Sequence, residues 1–141
     1  MQAQDHTPDA QQIASRDRRY AAIIWQQVQK IKGQPYHTKY GGLTHELPVL
    51  IRSAGLAQAL AFMESRRDEA CNQLLTDLAV AIGLPNGTTL VSQSRAVDLP
   101  EYMWLTRQTL AALRWYKRFA QSVLDVSNAS QLGEMNERTP R

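Results

Sequence analysis

Arg107, Arg114 and Arg118 stand seven and four residues apart. On a helix turning 100° per residue, Arg114 and Arg118 fall within about 20° of Arg107, with only Ala111 intervening on the strip. Guanidinium groups spaced by one to three turns, roughly 6 to 17 Å, suit contacts with successive phosphates of a nucleic-acid backbone. Lys117 flanks the stripe at about 80° from Arg107. A second basic group, Arg16, Arg18 and Arg19, precedes Lys30 and Lys32, and Arg52, Arg66 and Arg67 add charge in mid-chain. The spacing alone fits a solvated, ion-paired face equally well. Trp104, Trp115, Tyr116 and Phe119 accompany the stripe, and aromatics at helical spacing are expected in the core more often than on a base-stacking platform.

Other reactive side chains do not assemble into a site. His45-Glu46 begins like the zinc-protease helix motif, but Val49 stands where the second histidine belongs and Pro48 lies between them. Catalytic zinc takes about three protein ligands, and His6, His37 and His45 are scattered. Cys71 falls on an apolar helix face, where burial keeps a thiol protonated and inert. Gly83 to Thr88 lacks the Lys-Ser/Thr ending of a phosphate loop and is expected to be a turn. No two of the 13 carboxylates sit in an apolar setting at acid–base spacing. The expectation is no catalytic residue, no metal, no cofactor and no enzymatic activity.

The elements that must position the arginines are helical throughout. The expected fold is all-α: a compact single-domain bundle of about five to six helices with a long C-terminal helix. The chain has 141 residues, 43% hydrophobic, enough for one core. Residues 1–8 and 126–141 are polar and expected to be flexible, and 9–125 to form the domain. That body carries 14 Lys+Arg against 10 Asp+Glu, net +4, whereas the whole chain is +3. A single cysteine, the absence of an apolar leader, and apolar runs far shorter than the ~20 residues of a membrane span predict a cytoplasmic protein without a membrane partner.

Asp9 is expected to cap a first helix that stops at Gly33, with Ile13, Tyr20, Ile24, Val28 and Ile31 on one face. A loop over Gly33 to Gly42 should lead to an apolar helix carrying Leu47, Leu50, Ile51 and Ala54, and Gly55 to a tight joint before Leu56 to Met63. Cys71, Leu74, Leu75, Leu78 and Ile82 mark an amphipathic helix, Leu90 to Val97 a short one. Asp98 and Glu101 have capping-box spacing ahead of the long helix to about Leu124.

Two stretches carry a resemblance. The run from Leu47-Pro48 through Ile51, Gly55-Leu56 and Ala61-Phe62 resembles the small-subunit family of the type III-B CRISPR RAMP-module (Cmr) effector complex. So does the ending Trp115-Tyr116-Lys117-Arg118-Phe119-Ala120, although Tyr116 replaces a smaller aliphatic residue and Glu64-Ser65-Arg66 stands where serine and lysine are common. The likeness spans roughly 13–124. It implies a non-catalytic subunit of a ribonucleoprotein, with other Cmr subunits, CRISPR RNA, target RNA and copies of itself in a short filament as partners. Arg16, Arg18, Arg19, Arg107, Arg114, Lys117 and Arg118 become the candidate RNA-binding residues. Tyr36 and Tyr40, beside a glycine-rich turn, are candidates for an interface between subunits, although tyrosines so placed more often cover a domain's own core. A helical DNA-binding regulator is the alternative reading, but Leu56 to Phe62 is too apolar for a base-reading helix. A small helical enzyme would need clustered titratable groups.

Overall fold

The computed structural model describes residues 9–126; of the expected flexible ends, 1–8 and 126–141, all but Val126 lie outside the described residues. Six helices follow one another: α1 Ala10–Ile31, α2 His37–Ala54, α3 Leu56–Arg66, α4 Glu69–Ile82, α5 Leu90–Ala96 and α6 Leu99–Ser122. Among the described residues there is no strand, and no helix is long and apolar enough to cross a membrane.

Four helices begin on side-chain caps that satisfy otherwise orphaned N–H groups. The Asp9 carboxylate accepts from Gln12 N at 2.7 Å while Gln12 Oε1 accepts from Asp9 N, a complete capping box. Asp68 accepts from Cys71 N at 2.8 Å, and Thr89 from Ser92 N at 3.0 Å. Asp98 accepts from Glu101 N at 3.1 Å; this is only the first half of the expected box. α3 is capped from a distance, because Ala57 N donates to the Tyr102 hydroxyl of α6 at 3.0 Å.

The expected loop over Gly33 to Gly42 is corrected: α2 starts at His37 and runs through Gly41 and Gly42. Gly41 serves close approach rather than a turn. A Cβ at that position would lie 2.8 Å from Val126 Cβ, so the helix accepts a glycine that weakens it by about 0.5 to 1 kcal/mol. Pro48, inside the same helix, has no N–H for the Thr44 carbonyl. Gly55 does form the expected joint, with φ at 89° between α2 and α3.

One residue past the expected domain limit at 125 lies Val126. Val126 is buried, donates its N–H to the Ala120 carbonyl at 2.9 Å, and accepts at its own carbonyl from His45 Nε2 at 3.2 Å. A polar sequence on its C-terminal side hides this residue from a hydropathy reading, because only the Gly41 notch makes room for it. Ile13 lies on the expected α1 face but is exposed; the core begins at Tyr20.

Three buried tyrosines set the helix register. Tyr20 donates to Gln108 Oε1 at 2.6 Å, Tyr40 to Asp77 Oδ2 at 2.6 Å, and Tyr116 to Gln27 Oε1. The pairs Tyr20–Gln108 and Gln27–Tyr116 advance in the same sense, so α1 and α6 run parallel. Contacts of Val126 with Gly41 and of Tyr102 with Ala57 place α2 antiparallel to α6. Leu47, Leu60, Met63, Cys71, Leu74, Leu78 and Leu113 fill the space between.

Candidate nucleic-acid interface

One side of α6 is fixed by Leu105, Gln108, Thr109, Ala112, Leu113 and Tyr116, all buried. Arg107, Arg114 and Arg118 stand exposed on the other, and none of them joins an ion pair among the described residues. Ala111, on the same strip, is buried. The Arg118 guanidinium lies 5.5 Å from the Trp115 ring centroid, where the ring quadrupole orients it. Lys117 is half-buried at the margin.

The N-terminal arginines divide. Arg16 and Arg19 lie 5.8 and 5.7 Å from the Tyr20 ring centroid, and the Tyr20 hydroxyl bonds to Gln108, the neighbour of Arg107. Arg16, Arg19 and Arg107 therefore stand at about the same level along the parallel α1–α6 pair. Burial pushes the Tyr20 phenol upward, against the pull of Arg16 and Arg19. Arg16 is partly spent: its Nη2 pairs with Asp17 at 3.3 Å, and its buried Nε has no partner. Arg18 is exposed about 160° around α1 from Tyr20. In mid-chain, Arg66 is occupied by Glu46 at 3.6 Å and Asp68 at 4.0 Å.

Of the two readings of Tyr40, the structure shows the core one. It is fully buried, with its ring 6.5 Å from that of Tyr116 in an edge-on arrangement and its hydroxyl on Asp77, so it covers the protein's own core. Tyr36 remains half-buried at the surface. Of the four aromatics assigned to the core, Tyr116 is fully buried and Trp115 and Phe119 pack against the core from its edge, but Trp104 is 39% exposed. With Leu99 and Met103 it forms an apolar patch at the start of α6, next to Arg107. Met103 stands one turn before Arg107 on the same face, which was the sequence signal for that patch. Sequence reasoning also passed over Asp77, a lone carboxylate between Leu74 and Leu78 on the buried side of α4.

Cys71 is buried as expected, its thiol pushed up to about 11 by burial and by the neighbouring Asp68 carboxylate. Among the described residues no three His, Cys, Asp or Glu side chains gather as a metal site. Fold and surface together define a small all-helical protein with an exposed stripe of arginines on its last helix.

A family described as CRISPR-associated protein (Cas_Cmr5) matches residues 16–123, and the chain belongs to this Cmr5 family. It is 38% identical over 113 residues to the CRISPR system Cmr subunit Cmr5 of Thermus thermophilus, covering 80% of this chain and 99% of that protein. The crystal structure of a Cmr5 family protein from Thermus thermophilus superposes with a TM-score of 0.70 at 38% identity, over 76% of this chain and 96% of the other.

Proposed function

We propose that this chain is a non-catalytic small subunit of a type III-B CRISPR ribonucleoprotein, the Cmr complex, and contacts guide and target RNA through the α1–α6 seam. Membership of the Cmr5 family supports the subunit assignment. The observation that carries the RNA contact is the exposure of Arg107, Arg114 and Arg118 on one stripe without internal ion pairs. Arg16 and Arg19 on α1 and Lys117 beside the stripe are proposed as further phosphate contacts. Such a face binds phosphates without reading sequence, and neutralising one phosphate fewer should shallow the logarithmic salt slope by about 0.7 to 0.9. Arg114→Glu together with Arg118→Glu should weaken RNA association of the assembled complex and leave the helical circular dichroism unchanged. Unchanged binding with an unchanged salt slope would make the stripe a solvated face only.

Copies of the subunit are proposed to stack head to tail beside the backbone subunits, through a heterologous interface that the other subunits cap. The outer face of α1 supports this, because Trp25 is 47% exposed there, midway between Arg18 and Lys32. Tyr36 is the part of the expected patch that stays accessible. Trp25→Ala should reduce incorporation into the reconstituted complex without lowering the melting temperature. Full incorporation would remove this face from the assembly.

A further inference from the structure

On the other side of α1 from Trp25, a cavity of about 390 Å³ opens between α1, α4 and the turn that joins α1 to α2. Its lining includes Lys30, Tyr36, Gln73, Asp77 and Val80. Asp77 is its least expected member. The residue is only 8% exposed, yet forms no ion pair among the described residues. Its Oδ1 accepts from Gln73 Nε2 at 2.9 Å and its Oδ2 from the Tyr40 hydroxyl at 2.6 Å. A carboxylate offers about four acceptor positions, so roughly one on each oxygen is left.

A ligand that completes this group must present two adjacent N–H donors. The exposed Lys30 on the same cavity asks in addition for an acceptor, and its charge disfavours a purely cationic ligand. Tyr36 and the largely exposed Val80 supply an aromatic and an aliphatic surface to a planar ring. Among the four RNA bases only guanine carries two neighbouring donors, N1–H and N2–H₂, beside an acceptor, O6, on one edge. Unstacked bases are read in this way, by stacking and by hydrogen bonds to the Watson–Crick edge. The volume lies within the ~300 to 1,000 Å³ of small-ligand sites.

We propose that this cavity is a site for one unpaired guanine of single-stranded RNA, with Asp77 accepting from N1–H and N2–H₂, Lys30 donating to O6 and Tyr36 covering the ring. The inference rests on the RNA-binding reading above and adds a base-selective contact to a sequence-blind seam. Burial raises the Asp77 carboxyl above its ordinary range, while Tyr40, Gln73 and Lys30 act to lower it. Two further N–H donors would favour the ionised form in the same way.

The test is titration of the full chain with the 5′-monophosphates of guanosine, inosine, adenosine, cytidine and uridine at fixed ionic strength, followed by amide chemical shifts. All five ligands carry the same phosphate, so differences among them are independent of the arginine seam. Failure here therefore leaves the seam's own salt-slope test intact. The guanine nucleotide should bind about tenfold or more tightly than the adenine nucleotide, with inosine monophosphate, which lacks the N2 amine, in between. Shifts should centre on Lys30, Gln73 and Asp77. Asp77→Asn should abolish the preference, and Lys30→Met, at an exposed position, should reduce guanine affinity with the fold intact. If Asp77→Asn fails to fold, the inosine and Lys30 comparisons decide. Equal affinities, no saturable guanine binding by about 10 mM, or a preference that survives both substitutions would overturn the proposal. So would tighter binding of N-acetyl-arginine amide at the same residues, which would make the site a socket for a protein side chain.

Discussion

The Tyr40 hydroxyl donates to Asp77 Oδ2 at 2.6 Å across the α2–α4 packing, both residues buried. Burial pushes the Tyr40 phenol well above its ordinary value, so it stays a donor at any physiological pH. Tyr40→Phe keeps the ring and removes the donor, leaving a buried carboxylate held by Gln73 alone. The expected loss is about 1 to 3 kcal/mol, read by chemical denaturation. Tyr40→Ala also empties a core site and should cost about 3 to 5 kcal/mol, whereas Tyr36→Ala at the surface should cost much less.

Asp77 gives a pH signature. Its carboxyl is raised above 3.8 in the folded protein by burial, so the fold binds this proton more tightly than the unfolded chain does. The corresponding stability is present below about 3.8 and is lost as pH rises through the higher folded value. Asp77→Asn removes the titration. Wild type measured against Asp77→Asn should lose relative stability as pH climbs above 3.8, and a flat difference would contradict the sign.

Asp68 runs the opposite way. The Cys71 N–H bond, followed by the Lys39 side chain at 3.0 Å, holds its carboxyl at about 2. Its contribution is present above 3.8, the ordinary value, and disappears as pH falls through about 2. Asp68→Ala at neutral pH removes the α4 cap and should cost about 0.5 to 2 kcal/mol; Asp68→Asn, which can still cap, should cost less. Urea melts at neutral pH and at a pH near the folded value separate the two parts.

Gly41→Ala places a methyl 2.8 Å from Val126 Cβ. Helix propensity favours alanine by about 1 kcal/mol, but the clash should dominate, giving a net loss of about 1 to 3 kcal/mol. Val126→Gly in the same chain should restore most of the clash term, because the two sites share one contact. Hydrogen exchange at the Val126 N–H, bonded to Ala120, reports displacement of this segment directly.

Arg67 ends α3 in the left-handed region at φ 55° and ψ 28°. A side chain there costs about 1 kcal/mol that glycine avoids, so Arg67→Gly should raise the melting temperature by a few degrees. No rise would mean that the Arg67 side chain contributes interactions of equal worth.

The amino-acid sequence by itself determined the helices and their partial order of burial. A 3.6-residue apolar period leaves Cys71, Leu74, Leu78 and Ile82 little alternative to one buried face, and Asp9 and Asp98 read as caps because short acceptor side chains satisfy orphaned N–H groups where a helix begins; Asp68 and Thr89, which the sequence reading passed over, cap for the same reason. The arginine stripe of α6 was legible for the same reason, since periodicity is a local property. Tertiary structure alone decided whatever depends on a partner distant in the chain. Gly41 reads as a turn until Val126, 85 positions on, needs its space. Tyr40 finds Asp77, 37 positions on, and Tyr20 finds Gln108, 88 positions on, only when the helices pack. Periodicity assigns a side chain to a face of its own helix, but the packing of helices settles which neighbour that face meets and whether a polar group there finds a partner.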